Sequence, residues 1–567
     1  MGMDLITQLV SQGLSAVLPF IILLGLLIFV HELGHFLVAI ACGVHVEVFS
    51  LGFGKKLLQY NRKGTIYCIS MIPLGGYVKM YGDDVNADIP AEKKSQSFTH
   101  KSVYQRIAIV LAGPLMNFFF AILIFAIVAT LGEDARAPKL GDIALGSKAS
   151  TLGFQSGDTI LAVDGQAVHS WDQVQAMMNK RIGLPLTFEV SQAQAASKRS
   201  VEAIPDSKQN PNILSLDSQI GELEGLSLNS IAPVIGVRSG SAAEAAGLKT
   251  GDRIVAMNDQ PIAHYRELTA AWSAASFPLK LKLERSSSES MDPATIKDPR
   301  KKAPTEKPSE LELSIPNQIA FEAAGIDSSE LYLFSIVKGS PAEKAGLASG
   351  DKILSISEVA ITSWEKVVSQ IKSFNGRDPV ALVVQRGTET KNFSIVPEMT
   401  SHTTLFGGEE KRFTIGIVPW VTMANLELVK IQVSNPLKAA QRGFQKTVDA
   451  SVMTLVSFVR LIQGMISPKH IGGVISIGQA AHETYKMGLT SFLQMMAVIS
   501  VHLFVLNLLP VPVLDGGHLL FYSIELLRGT PLSMRKLEIA QQVGLVLLMS
   551  LMAFALFNDF SRVLGLW

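Results

Sequence analysis

Four long apolar runs stand out along the chain. The first covers residues 14–30 and continues over 36–42, and the others cover 107–131, 492–509 and 543–557. A helix needs about 20 apolar residues to cross a bilayer. The first two runs reach that length alone, and the last two reach it with their flanks. The pattern therefore predicts a membrane protein with four transmembrane helices.

The composition agrees with this placement in lipid. Charged residues make up 17% of the 567-residue chain, against about 25% in soluble proteins. The net charge of +1 gives no reason to expect a nucleic-acid partner, and two cysteines, Cys42 and Cys68, are too few for a disulfide scaffold. The first apolar run is too long for a cleaved signal peptide and has no Lys or Arg before it, so we expect a retained helix.

Basic residues are concentrated in two connecting loops. Residues 1–30 contain none, whereas the loop 43–106 contains nine, and the loop before the fourth run contains Arg528, Arg535 and Lys536. The positive-inside rule places both loops in the cytoplasm. Both chain ends, and everything between the second and third helices, then lie on the opposite side.

One pattern occurs three times in the polar stretch 132–400. A Gly-Asp turn ending at Asp158, Asp252 and Asp351 precedes a short alternating strand. The copies are 94 residues (247 minus 153) and 99 residues (346 minus 247) apart, which is one small domain each. The repeat resembles the PDZ domain, which binds extended peptides by adding a strand to a sheet edge. The alternative for any single copy is a spacer or a steric lid.

Two further segments complete the predicted domain organisation. Residues 286–308 are rich in Ser, Pro, Lys and Glu without periodicity, which is typical of a flexible linker. Residues 436–468 combine apolar residues at helical spacing with charged residues. This pattern favours an amphipathic helix that lies on the outer face of the same bilayer over a fifth transmembrane span. The predicted segments are transmembrane helices at 1–43, 104–131, 488–517 and 538–560, a cytoplasmic loop with a β-hairpin at 44–103, PDZ-like copies at 132–204, 225–285 and 311–400, a linker at 286–310, and a periplasmic segment with the amphipathic helix at 401–485.

The first apolar run contains an HExxH motif, formed by His31, Glu32 and His35. Positions i and i+4 share one helix face, so two imidazoles can hold one zinc ion while Glu32 lies near enough to act as general base. The motif alone can occur by chance in a soluble helix. Inside a membrane, however, a central carboxylate costs about 2.5–3.5 kcal/mol, and such groups normally face a ligand or a cavity. The sequence therefore predicts a metal site here.

Zinc needs a third protein ligand, and two candidates lie at the cytoplasmic end of the third run. They are Asp515 and His518, which follow Asn507, Pro510 and Pro512. Irregular backbone at membrane depth is tolerated where it is buried or lines a cavity. The other interpretation is a helix-end turn with a solvated aspartate. Residue type alone leaves the choice between Asp515 and His518 open.

The two motifs together resemble the paired signature of the bacterial site-2 proteases, in particular the RseP-type branch. Residues 112–117 match that family's second-span motif, and residues 72–80 match the end of its membrane re-entrant β-hairpin. Residues 472–478 and 556–562 are similar to the RseP-type branch. The family members compared carry two PDZ domains, so a third copy is a departure.

The resemblance implies an intramembrane zinc metalloendopeptidase. Its substrates would be single-span membrane proteins such as anti-sigma factors, and remnant signal peptides, with the PDZ domains as a size filter. It implies a bacterial inner-membrane location with periplasmic PDZ domains, an active site toward the cytoplasm, and a hairpin that pairs with substrate rather than an ordinary cytoplasmic hairpin. The implied functional residues are the zinc ligands His31, His35 and Asp515, the general base Glu32, and the substrate-contacting Asn507, Pro510 and Pro512.

The expected fold is multi-domain. It is a polytopic α-helical membrane protein with four transmembrane helices, a membrane-associated β-hairpin and an inserted array of three α+β or mainly-β PDZ-like domains. We expect a monomer in the lipid bilayer. Two other classes remain as alternatives: a PDZ-based membrane scaffold with an inert metal site, and a metal transporter, which a single HExxH and the lack of a repeated membrane half disfavour.

Overall fold

A computed structural model describes residues 2–83, 89–144, 146–192, 195–285, 309–403 and 409–564. The chain divides into two compact units, one with the long apolar helices and the other with the repeated copies. The helices are α1 (Gly2–Ala41), α2 (Val103–Leu131), α3 (Lys148–Leu152), α4 (Trp171–Lys180), α5 (Ala242–Ala245), α6 (Tyr265–Ala274), α7 (Pro341–Ala345), α8 (Trp364–Lys372), α9 (Pro436–Ile462), α10 (Val474–Lys486), α11 (Leu489–Leu508), α12 (Asp515–Arg528) and α13 (Met534–Val563).

The strands fall into a long hairpin and many short antiparallel pairs. They are β1 (Val46–Arg62), β2 (Thr65–Met80), β3 (Glu133–Arg136), β4 (Thr159–Val163), β5 (Gln166–Ala167), β6 (Leu186–Gln192), β7 (Ala195–Ala203), β8 (Asp206–Gln209), β9 (Gln219–Glu222), β10 (Ile235–Val237), β11 (Arg253–Met257), β12 (Gln260–Pro261), β13 (Leu279–Arg285), β14 (Ser309–Ile315), β15 (Ile326–Ser328), β16 (Leu333–Ile336), β17 (Lys352–Ile356), β18 (Val359–Ala360), β19 (Val380–Arg386), β20 (Glu389–Ile395), β21 (Glu398–Thr403), β22 (Glu409–Thr414), β23 (Ile417–Pro419) and β24 (Leu428–Ile431).

The prediction of four apolar helices is confirmed in the described part of the chain. Four helical stretches are long and apolar enough to cross a membrane: Leu18–Ala41, Val103–Leu131, Leu489–Leu508 and Arg535–Val563.

The predicted bounds of the third span, 488–517, were wrong at one end. Helix α11 ends at Leu508, and α12 begins at Asp515. Pro510 and Pro512 lie in the connection, and proline lacks the N–H that would continue a helix. The break places Asp515 in the first turn of a new helix, where the positive end of the helix dipole favours a carboxylate.

Helix α2 is the centre of the first unit, because α1, α9, α11 and α12 all pack against it. At Gly443 of α9 an added β-carbon would lie 2.5 Å from the carbonyl oxygen of Ile122, so these two helices pack backbone to backbone. The buried Glu133, just after α2, forms ion pairs with Arg442 and Lys446 of α9. The predicted amphipathic helix is therefore α9, and it is fastened to α2.

The second unit contains three four-stranded antiparallel sheets with the same strand order: β5-β4-β6-β7, β12-β11-β13-β14 and β18-β17-β19-β20. In each copy the aspartate of the Gly-Asp turn is buried and accepts a hydrogen bond from a backbone N–H three residues earlier. Each aspartate is also ion-paired with an arginine of its own sheet. The repeated motif is thus a buried turn that joins a helix to the sheet.

The predicted place of the linker between two copies was wrong, and so were the predicted ends of copies one and two and both predicted ends of copy three, whose β16 pairs with β23 beyond residue 400. Strand β13 pairs along its length with β14, so residues 286–308 connect neighbouring strands of one sheet instead of separating copies two and three. Copy two continues to β15, which pairs with β10. Copy one likewise extends beyond 204, because the Gly141 N–H donates to Ser227 O. Residues 286–308 themselves lie outside the described residues.

Candidate metal centre

Helix α1 presents the two imidazoles of the HExxH motif on one face. His31 and His35 are one turn apart, and their rings are edge-to-face with centroids 4.9 Å apart. Their Nε2 atoms are 3.3 Å apart. Both atoms are therefore placed to bind one ion.

Asp515 completes a triangle of donor atoms. Its Oδ2 lies 3.2 Å from His31 Nε2 and 3.6 Å from His35 Nε2. Ligands held about 2.0–2.1 Å from a tetrahedral zinc ion are about 3.4 Å from one another, so the triangle has the size of one face of such a site. Among the described residues, this is the one group of three metal-ligating side chains close enough to share an ion. Two imidazoles and a carboxylate fit zinc and leave a fourth position open.

The turn before α12 brings Asp515 to this position. β-Carbons added at Gly516 and Gly517 would lie 2.2 Å from Leu509 O and 2.4 Å from Val511 O, so the connection folds directly onto the helix start. Val513 has φ +93°, a rare conformation for a β-branched residue. Such strain persists where the surroundings impose it, and it is common at functional sites.

Helix α2 supports both histidines. His35 Nδ1 lies 2.8 Å from Ile109 O, to which it donates a hydrogen bond that leaves Nε2 free for a metal. The Asn117 amide lies 3.2 Å from His31 Nδ1 and is fully buried. At Gly113 an added β-carbon would lie 2.2 Å from His35 Nε2, so the missing side chain makes room for the ring.

Glu32 lies between the histidines and the hairpin. At Gly76 of β2 an added β-carbon would lie 3.0 Å from Glu32 Cγ and 2.9 Å from Ile28 Cγ2, so only a glycine lets the strand approach α1 this closely. The base of the hairpin packs on the same part of the unit through Phe36, Phe49 and Ile109. The hairpin therefore borders the candidate centre.

The remaining predicted residues are not part of the donor group. His518 is outside the donor group, and its ring lies near that of Tyr522, 6.4 Å between centroids. Asn507 lies in the last turn of α11, and Pro510 and Pro512 lie in the connection to α12. All three precede Asp515 in the chain within eight residues (515 minus 507).

Sequence reasoning missed the supporting groups on α2. Residues 112–117 matched a family motif, but nothing in one chain showed that Gly113 faces His35 or that Asn117 faces His31. In the sequence, Arg106 served only as one of the nine basic residues that place the loop 43–106 in the cytoplasm. It forms an ion pair with Glu525 at 2.6 Å.

Comparison with known proteins decides the family. The family model of peptidase family M50 matches residues 19–551. The chain belongs to peptidase family M50. Protease RseP of Yersinia pestis is 33% identical over 545 residues, covering 96% of this chain and 98% of that protein.

Other M50-like relatives match over the same extent. The regulator of sigma-E protease RseP of Escherichia coli K12 is 31% identical over 546 residues, covering 96% of this chain and 98% of that protein. A Neisseria meningitidis protein named as a zinc metalloprotease is 31% identical over 560 residues, covering 97% of this chain and 100% of that protein. Membership of M50 makes the chain a metalloprotease.

Among solved structures, a PDZ domain from Listeria monocytogenes is 23% identical to this chain. The match covers 16% of this chain and 87% of that domain, with a TM-score of 0.13.

Proposed function

We propose that this M50 peptidase is a zinc-dependent intramembrane protease that hydrolyses a peptide bond within transmembrane segments of single-span membrane proteins. The observation that carries the proposal is the triangle of donors formed by His31 and His35 of the apolar helix α1 and Asp515 at the start of α12. A cluster of ionisable groups on an apolar helix is expensive unless it serves a ligand. The relatives named as regulators of sigma E favour anti-sigma factors as substrates, and the family resemblance adds remnant signal peptides.

His31, His35 and Asp515 would hold the zinc ion, which when bound polarises the scissile carbonyl and lowers the pKa of a water molecule. Glu32, one residue from a ligand, takes the proton of the attacking water and passes it to the leaving amine. Ile109 O and Asn117 keep the two imidazoles oriented.

A transmembrane helix hides its peptide bonds in its own hydrogen bonds, so the substrate must unwind locally. We assign substrate contact to Asn507, Pro510 and Pro512 in the break before α12, and strand pairing with the unwound segment to the hairpin. Both features border the donors. The positive-inside rule places the centre toward the cytoplasm and the PDZ-like copies in the periplasm of a bacterial inner membrane.

The three copies would act as a size filter that excludes bulky ectodomains until another protease has trimmed them. Replacing residues 137–427 by a Gly/Ser linker should then permit cleavage of untrimmed substrates. If untrimmed substrates stay intact while trimmed ones are cut, the filter is wrong.

The protease proposal is tested with Glu32→Gln. The variant should bind zinc with wild-type affinity and cleave a single-span substrate at least 100-fold more slowly, because general acid–base catalysis contributes about 10²–10⁴-fold. Zinc content and cleavage are measured on the same purified protein in detergent. Full cleavage by the variant would remove Glu32 from the mechanism, and a wild-type protein that binds zinc but cuts no membrane substrate would favour a scaffold.

A further inference from the structure

One face of α12 carries a second polar anchor besides the candidate ligand. Asp515, His518, Tyr522 and Glu525 are spaced three, four and three residues apart, which is one helix face. In the described part of the chain, side chains of α12 make polar contacts with other elements at two places. One is Asp515 with the imidazoles, and the other is the pair of Tyr522 and Glu525 with Arg106.

Arg106, in the first turn of α2, lies in a nearly enclosed position. Its Nη2 is 2.6 Å from Glu525 Oε1, and the two side chains are 13% and 14% exposed. The guanidinium also lies over the Tyr522 ring, 4.8 Å from its centroid. Salt screens such a pair little, and loss of one partner would leave the other charge buried and unpaired. The contact therefore restrains α12 strongly.

The same face of α2 that supports the histidines also carries Arg106. Arg106, Ile109, Gly113 and Asn117 are spaced three, four and four residues apart. Ile109 O holds the His35 ring and Asn117 contacts the His31 ring, while Arg106 holds α12. One rigid helix face thus contacts all three elements of the centre: both histidines and the helix that begins with Asp515.

We propose that Arg106 is a positioning residue for the metal centre. Through Glu525 and Tyr522 it sets the depth and rotation of α12 on α2, and this brings Asp515 to His31 and His35. Ligand constellations tolerate errors of about 0.5 Å and 10–20°, so a helix released at Glu525 would present its carboxylate poorly. The inference rests on the proposed metal centre and adds what aligns its third ligand.

Zinc affinity, measured by chelator competition on the purified full-length protein in detergent, tests this without any cleavage assay. Glu525→Gln and Arg106→Gln should each weaken zinc binding at least tenfold, because a released α12 would hold the Asp515 carboxylate outside the geometry that a ligand set tolerates. The double exchange Arg106→Glu with Glu525→Arg should restore affinity to within about threefold of wild type, because it rebuilds the ion pair. Glu133→Gln is the matched control, because it breaks a buried ion pair at the other end of α2 and should leave zinc affinity unchanged.

Wild-type zinc affinity in both single variants would overturn the proposal. Equal weakening in Glu133→Gln would also overturn it, since general loosening of α2 would then explain the effect. Failure of the double exchange to restore affinity, with its fold intact by thermal unfolding, counts against it as well. Asp515→Asn separates this inference from the proposed function: if that variant binds zinc like wild type, the metal centre itself is wrong.

Discussion

Gly113 provides a direct test of the placement of His35. A β-carbon at this position would lie 2.2 Å from His35 Nε2 and 2.5 Å from its Cε1, whereas ordinary contact begins at 3.4 Å. In Gly113→Ala the ring must withdraw by 1.2 Å (3.4 minus 2.2) or the helices must separate. Withdrawal is opposed by the hydrogen bond from Nδ1 to Ile109 O. Overpacking of this kind costs about 1–3 kcal/mol. If the whole cost is taken from zinc binding by His35, the zinc affinity falls roughly 5- to 150-fold.

The assay is zinc affinity by chelator competition, alongside thermal unfolding of the metal-free protein. Gly25→Ala is the matched control, because it adds the same methyl group to α1 with nothing within 4 Å and should leave affinity unchanged. Any fall in the unfolding temperature of the metal-free Gly113→Ala protein measures the part of the overpacking cost that falls on helix packing instead of on the zinc ligand. Wild-type zinc affinity in Gly113→Ala would refute the view that His35 Nε2 faces the ion from this position.

Two further predictions concern buried charges outside the centre. Burial raises the pKa of Glu133, but the ion pairs with Lys446 and Arg442 prevail and hold it below the ordinary 4.5. The two ion pairs therefore stabilise the fold fully above about pH 5, and this stabilisation is lost as pH falls through the lowered pKa. The unfolding temperature of Glu133→Gln should fall less steeply with acid than that of the wild type. An equal fall in both proteins would contradict this. In copy three, Asp351 is fully buried and accepts two hydrogen bonds from Arg386, whose side chain is one-third exposed. Arg386→Met should therefore destabilise that copy by about 3 kcal/mol, the low end of the range for a broken buried ion pair. Unchanged hydrogen exchange across β17 would contradict this.

The fold was predictable wherever a local pattern determines it. Apolar length identified the four long helices, and the Gly-Asp turns located the three copies, because both depend on neighbouring residues. The boundary between copies two and three was misplaced for the opposite reason. Composition shows that residues 286–308 are polar and aperiodic, but it cannot show that β13 and β14 on either side pair with each other. A long insertion in a hairpin costs little, since loop closure rises only slowly with length.

The candidate site was predictable in part on the same grounds. His31 and His35 share a helix face by spacing alone, so their pairing needed no tertiary information. The choice of Asp515 over His518 needed the family resemblance, because both lie near the start of α12. Asn117 and Gly113 contact the histidines across a helix–helix crossing, 86 residues apart in the case of Asn117 and His31. Crossings of this kind depend on the packing of two apolar helices, which one sequence does not reveal.

The position of α2 explains how three copies can be inserted into the chain without separating the metal donors. The donors His35 and Asp515 are 480 residues apart (515 minus 35), yet each is placed by its own contact with α2, which precedes the array in the chain. The chain returns to α2 after the array through α9, which packs on α2 at Gly443 and pairs through Arg442 with Glu133 just after α2. Both ends of the insertion are thus fastened to one helix. The contacts of α1 and α12 with α2, which form the metal triangle, all lie within the unit of the long helices. A change in the number of copies would therefore alter the length of the insertion and leave these contacts unchanged.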